Sequence, residues 1–498
     1  MPKTLPIFYS ALLLTGVNLL LRLVGTSFQV YLSGRIGASG IGLLQLVMSV
    51  GSLAMVAGMA GIRTGSMYLT AEELGRKKPG HVRWVLSGCF LYSIGFSGTI
   101  GAALYLFAPQ IAALWIGDIR TVEALRLFAG FLPAICLCGV MCGYFTAASR
   151  IGTLAAVEVG EQLCSMGVTV AALALWAGRD PVRACQCVIL GSGVGACLTL
   201  SCLVILRIRE RPQSSQRIPL SQRLMQTALP LAGADVLKSG INTVENLMVP
   251  KRLALNSLVA DPLAAFGIVS GMVFPVLMFP ACILYGLAEL LIPELARCAA
   301  IGSDRRISYL TSRNLRVTLL YGLVCGGGMF LLADALCDWL YPEMGVAEYL
   351  RWFSLLVPML YCDLIVDAMT KGLGQQRACV RYNIISNSLD VALLYVLLPR
   401  FGIPGYFASF TITHVLNFCL SLRRLARIAR PGITLWYPCF ALSAWLIALF
   451  GAGRFDGNAQ QIGVFLGLFF CVSYFFGVWS PEDLQWLKNL GKTEKSLL

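Results

Sequence analysis

The chain has 498 residues, 57% of them hydrophobic and only 13% charged, with a mean hydropathy of +0.75. Soluble domains carry roughly 25% charge, so a row of soluble domains, a disordered chain and a disulfide-stapled secreted fold are all excluded. The net charge of +14 sits on loops between apolar runs, which points to membrane topology and not to nucleic acid.

A membrane-crossing helix needs about 20 mostly apolar residues, and about fourteen such runs follow one another. They lie near 7–32, 38–62, 82–107, 121–145, 152–177, 183–206, 223–250, 263–290, 314–333, 346–370, 381–399, 403–422, 434–452 and 460–480. The first run follows a single basic residue, Lys3, and has no A-x-A-like cleavage site, so it reads as a spanning helix and not a signal peptide. Most of the 39 Lys and Arg fall into alternate loops: 63–83, 207–223, 297–316, 371–381, 423–430 and the C-terminal tail. The loop with Asp334, Asp338 and Glu343 carries no base and lands on the other side. The asymmetry predicts both termini inside.

The chain also repeats itself. A shift of about 217 residues sets Gly16 on Gly233, Asn18 on Asp235, Gln29 on Asn246 and Arg35 on Arg252. A shift of about 225 sets Glu123 and Arg126 on Glu348 and Arg351, Glu158 on Asn383, and Gln162 on Asn387. Six helices per copy is an even number, so the copies enter the membrane the same way, as parallel repeats. The expected fold class is an all-α polytopic membrane protein of about fourteen transmembrane helices, in two parallel six-helix repeats plus two C-terminal helices, N-in/C-in. The expected divisions are an N-lobe over 1–210, a cytoplasmic linker over 211–222, a C-lobe over 223–430, and a C-terminal pair with a cytoplasmic tail over 431–498.

Ionisable residues inside spans are costly and face a cavity or the bundle interior. The seventh run is the densest case. At about 100° per residue, Asp235, Lys238, Asn242, Glu245 and Asn246 share an arc of roughly 100°. Lipid cannot solvate such a face, so it must look into protein or water. In the first run, Asn18, Arg22 and Gln29 fall within roughly 40°. The two stripes occupy equivalent places in the repeat and are expected to line a shared hydrophilic cavity. The competing reading pairs Asp235, Lys238 and Glu245 among themselves. Arg22 has no acid three or four residues away and needs one from another helix, or an anionic ligand; its planar donor fork suits phosphate.

Asp363, Asp367 and Lys371 in the tenth run have four-residue spacing, and Asp367–Lys371 reads as a structural pair or as part of a gate. Glu158, Glu161 and Gln162 in the fifth run stand against Asn383, Asn387 and Asp390 in the eleventh, as cavity lining or lobe packing. Pro275, Pro280 and Pro293 predict breaks in the eighth run and its exit.

The 18 cysteines mostly lie inside apolar runs as small packing residues, and none has zinc-ligand spacing. With only His81 and His414, one in each expected lobe, there is no Ser/His/Asp arrangement, and no Walker phosphate loop is present. Neither a metal nor a cofactor is expected, and the chain reads as a transporter, not an enzyme.

Gly143-Tyr-Phe-Thr-Ala-Ala-Ser-Arg150 followed by Glu158-x-x-Glu161-Gln162 resembles the stage V sporulation protein B family, within the multidrug/oligosaccharidyl-lipid/polysaccharide exporter superfamily. Lys371-Gly-Leu-Gly-Gln-Gln376, Arg381-Tyr-Asn383, Leu398-Pro-Arg-Phe-Gly-Ile-Pro-Gly405, Phe274-Pro-x-x-x-Phe-Pro280 and Leu291-Ile-Pro-Glu-Leu295 carry the likeness through the second half. The resemblance implies a plasma-membrane flippase that moves an undecaprenyl-linked saccharide, a lipid II-like peptidoglycan or polysaccharide precursor, by alternating access. It implies Arg22, and less closely Arg63, as ligands of the polyprenyl pyrophosphate; Lys238, with two acids nearby, departs from a purely cationic cavity, and the flippase reading adds it to the pyrophosphate ligands. Membrane lipids, Na⁺ or H⁺ as a coupling ion, and cell-wall synthesis enzymes are the further partners in view; nucleic acid is not. The alternative is a Na⁺- or H⁺-coupled multidrug antiporter of the same superfamily, with Asp235 or Glu245 binding the ion.

Overall fold

The computed structural model describes residues 7–76, 80–148, 150–178, 180–209, 221–342, 344–430 and 436–478. Among the described residues there are helices and no strands, and each of the fourteen apolar runs lies on helix. The helices of the first half are α1 (Ile7–Met59), α2 (Ile62–Gly75), α3 (His81–Gln110), α4 (Val122–Ala147), α5 (Ile151–Ala172), α6 (Pro181–Ile208) and α7 (Ser221–Leu253). There follow α8 (Pro262–Gly267), α9 (Phe274–Met278), α10 (Cys282–Ile301), α11 (Asp304–Leu331), α12 (Ala333–Leu340), α13 (Ala347–Ser354) and α14 (Val357–Gly372). The last four are α15 (Gln376–Phe401), α16 (Ile403–Ala429), α17 (Trp436–Ala452) and α18 (Asn458–Phe475).

The runs at 7–32 and 38–62 share α1, which breaks at Gly37 (φ 70°, ψ 179°). A side chain rarely adopts that left-handed backbone, so glycine is what allows the chain to redirect there. The run at 263–290 passes through a π-helical stretch, Ile268–Val273, and is interrupted at 279–281, where Pro280 stands. Pro275 starts α9 and Pro293 lies inside α10. The run at 346–370 is bent by 55° between α13 and α14, with Pro358 in the first turn after the bend.

Among the described residues, eight helices are long and apolar enough to cross a membrane, or up to ten if each bent pair is one span. The stretch Leu19–Leu74 counts once although it holds two expected runs, and α17 is short, at 17 residues. Helix α7 falls outside this set because its polar stripe lowers its hydropathy.

Two compact units result: Met1–Cys282 with Asn383–Thr413, and Ile283–Tyr382 with His414–Leu498. This partition differs from the repeat-based lobes, because α7 packs on α1 and groups with the first half. In the first unit, Ile62, Val85, Cys89, Val140, Phe145 and Leu203 build a core from α2, α3, α4 and α6. There α1 also crosses α8 at backbone contact: a Cβ at Gly42 would meet the Leu263 carbonyl oxygen, and one at Gly267 the Ala38 carbonyl oxygen. Small residues allow such approaches where bilayer offers little hydrophobic drive between helices. In the second unit, Leu323, Ala444, Ala448, Phe465 and Phe469 join α11, α17 and α18.

Candidate functional site

Helix α7 holds its polar stripe on one continuous helix. Asp235, Lys238 and Asn242 are exposed, whereas Glu245 and Asn246, nearer its C-terminal end, are half-buried. Among the described residues no ion pair joins Asp235, Lys238 and Glu245, so the stripe does not neutralise itself. Its members turn to other helices instead. Asn246 Nδ2 donates to Ser49 Oγ on α1 (3.0 Å), and Thr243 Oγ1 donates to the Ser49 carbonyl (3.1 Å). Asn387 Nδ2 on α15 donates to Asn242 Oδ1 (2.8 Å). Glu245 is in hydrogen-bonding contact with Asp390, one turn beyond Asn387.

Asp390 is 5% exposed, and Ser409 Oγ (2.6 Å) and Thr413 Oγ1 (3.1 Å) on α16 both donate to its Oδ1. Tyr406 on α16 also lies within electrostatic range of both acids. Two carboxylates this close repel, so the pair calls for a cation between them, a proton or a small metal ion. Among the described residues no group of three or more His, Cys, Asp or Glu is arranged to hold a metal ion. An ion at this place would therefore rely on two carboxylates plus neutral oxygens. Ser409, Thr413 and Ser49 join Asp390, already in view from the sequence, at this place; Ser and Thr are too common in membrane helices to stand out.

On α1, Arg22 is exposed and Gln29 Nε2 donates to the Gly271 carbonyl (3.1 Å), tying the first stripe to the π-helical stretch. The Asn18 side chain lies outside the described residues. Gln162 lies against Gly25 of α1, 3.8 Å from where a Cβ would stand. Arg63, exposed at the start of α2, is within electrostatic range of Glu158 on α5. Glu161 instead accepts from Thr199 on α6 (2.9 Å). Asn383 is half-buried one turn before Asn387.

The second unit holds the rest. Asn417 Nδ2 donates to both Asp363 oxygens (3.1 and 3.3 Å), and Lys371 pairs with Asp367 at 2.5 Å. Both acids of α14 thus have protein partners within their own unit, which is the structural side of the two readings for Asp367 and Lys371.

This multi-pass helical fold is shared with solved structures of MATE and MurJ proteins. The lipid II flippase MurJ in an inward closed conformation matches with a TM-score of 0.67 and 13% identity, covering 93% of this chain and 98% of that one. An inward-facing multidrug resistance MATE family transporter matches with a TM-score of 0.65 and 12% identity, covering 84% and 100%. The MatE family model matches residues 15–176. In sequence the chain is a homologue of "Stage V sporulation protein B" of Bacillus subtilis (strain 168), 23% identical over 454 residues, covering 88% of this chain and 87% of the relative.

Proposed function

We propose that this protein is a plasma-membrane flippase that carries a polyprenyl-pyrophosphate-linked saccharide, of the lipid II or polysaccharide-precursor kind, by alternating access. On this reading about fourteen crossings run N-in/C-in, with lobes 1–210 and 223–430 joined by the linker 211–222. The observation that carries it is the exposed polar face of α7 from Asp235 to Asn242, on a helix this reading takes as a span, where among the described residues Lys238 has no ion pair. Such a face requires a polar ligand or water. Arg22 and Lys238 hold the pyrophosphate; Asn242 and Gln29, with Asn18, serve the sugar. Support also comes from the sporulation-protein homologue and from a fold shared with a protein named as a lipid II flippase.

Native mass spectrometry of the purified chain tests this. A co-purifying polyprenyl pyrophosphate supports it, and failure to bind an added one sinks it. Cell-wall synthesis enzymes are the expected neighbours of such a carrier. A second reading, a Na⁺- or H⁺-coupled multidrug antiporter, is favoured by the Glu245–Asp390 pair. Ion-driven drug efflux together with no lipid binding would select it. The same pair serves the flippase as the site of its coupling ion.

A further inference from the structure

Helix α7 has a second face. Roughly opposite the polar stripe, at about 100° per residue, stand Leu237, Gly240, Val244, Leu247 and Lys251. This face lines an open groove of about 950 Å³, closed on its sides by Leu53 of α1 and Val391 of α15. That volume lies at the upper end of the roughly 300–1,000 Å³ of small-molecule sites.

The groove is apolar along its length and charged at one end. Lys251 and Arg252 end it, and Trp115 sits beside them. Lys251 Nζ donates to the Leu114 carbonyl oxygen, which fixes the lysine at the level of that tryptophan. Arg252 lies against the Tyr395 ring. Tryptophan, tyrosine and snorkelling cations together mark the membrane–water interface. From Leu237 to Lys251 the helix rises about 21 Å, half the roughly 40–45 Å of a bilayer with its headgroups. The groove therefore spans one leaflet, hydrocarbon at its deep end and cation at its mouth.

We infer that this groove is a binding site for an anionic phospholipid of the bilayer, with its phosphate on Lys251 and Arg252 and one acyl chain along Gly240 and Val244. Charge complementarity selects the anionic headgroup, since a zwitterionic lipid brings a cation of its own to two cations. Gly240 leaves room for the chain: a Cβ there meets nothing within 4 Å. The walls come from both expected copies of the repeat, Leu53, Leu114 and Trp115 from the copy over 1–210 and α7 with Val391 from the copy over 223–430. A seated lipid thus bridges the two copies of the repeat.

The test uses the full chain in phosphatidylcholine vesicles doped with acyl-brominated phosphatidylglycerol, or with acyl-brominated phosphatidylcholine at the same level. The quenching of Trp115 is isolated by difference from Trp115→Phe. Brominated phosphatidylglycerol is expected to half-quench Trp115 at about fivefold lower doping than brominated phosphatidylcholine. Lys251→Gln should erase that preference by removing charge, and Gly240→Phe should erase it by filling the groove with the charges intact. Equal half-quenching by the two lipids, or a preference that survives either substitution, overturns the assignment.

Discussion

Glu245 of α7 meets Asp390 of α15, and the contact brings two acids together where Asp390 already receives the hydroxyls of Ser409 and Thr413. Like charges so placed make the pair sensitive to any cation that can enter between them. Glu245→Gln removes one charge and keeps the size of the side chain. Its expected result is transport that no longer depends on Na⁺ or on pH, with binding of the lipid-linked substrate retained. Measured uptake across a sodium and a pH series checks this, and an unchanged ion dependence would remove the pair from coupling.

Asp390 has a structural share as well. Asp390→Ala removes the carboxylate that two buried hydroxyls share: Thr413 Oγ1 falls back on the Ser409 carbonyl (3.0 Å), and Ser409 Oγ keeps only a long contact to the backbone carbonyl of residue 390 (3.4 Å), at a cost of about 1–3 kcal/mol. Asp390→Asn keeps an acceptor oxygen and should lose less. Thermal unfolding of the two variants in the same detergent gives the comparison, with Asp390→Ala melting lower.

Arg22 is predicted to act on the substrate, not on folding. Arg22→Ala should abolish headgroup translocation in proteoliposomes while leaving expression and melting temperature near those of the parent. Arg22→Lys restores the charge but not the two-pronged donor geometry, so partial recovery is expected. Normal translocation by Arg22→Ala would take Arg22 out of the mechanism.

The apolar runs were legible because membrane helices are long and compositionally distinct, and each is helical here. The α7 stripe was legible because a 3.6-residue period needs no knowledge of neighbours. What the stripe touches was not, since Asn242 and Asn387 are 145 residues apart and only tertiary packing sets their 2.8 Å contact. Pairing within the stripe was the lesser reading of the spacing, and among the described residues Glu245 meets Asp390 of another helix instead. The division between the first two runs was legible as well, and it falls at Gly37, where two helical stretches meet across a kink.

Lys371 and Asp367 separate a structural pair from a gate. Their side chains are 41% and 28% exposed, so the bridge is worth no more than about 1 kcal/mol after screening. Lys371→Ala is expected to leave translocation within about fivefold of the parent, the most that about 1 kcal/mol can supply. A tenfold or larger loss without a change in melting temperature would make Lys371 part of the transport path.

The crossing of α1 and α8 sets a steric prediction. At Gly267 a Cβ would run into the Ala38 carbonyl oxygen and the Gly42 backbone, atoms that cannot rotate away. Gly267→Ala should therefore destabilise by about 1–3 kcal/mol, the range for overpacking. Gly34 lies on α1, one turn before Ala38, and a Cβ there meets nothing within 4 Å. Gly34→Ala should be neutral or stabilising by up to about 1 kcal/mol, because alanine holds a helix better than glycine. Gln29 reaches the Gly271 carbonyl one turn beyond Gly267, so forcing the crossing apart also loosens the first polar stripe. Gly267→Ala should lower translocation together with stability, whereas Gln29→Ala lowers translocation with the melting temperature nearly unchanged. Equal melting of Gly267→Ala and Gly34→Ala would mean that the two helices are not held at backbone contact.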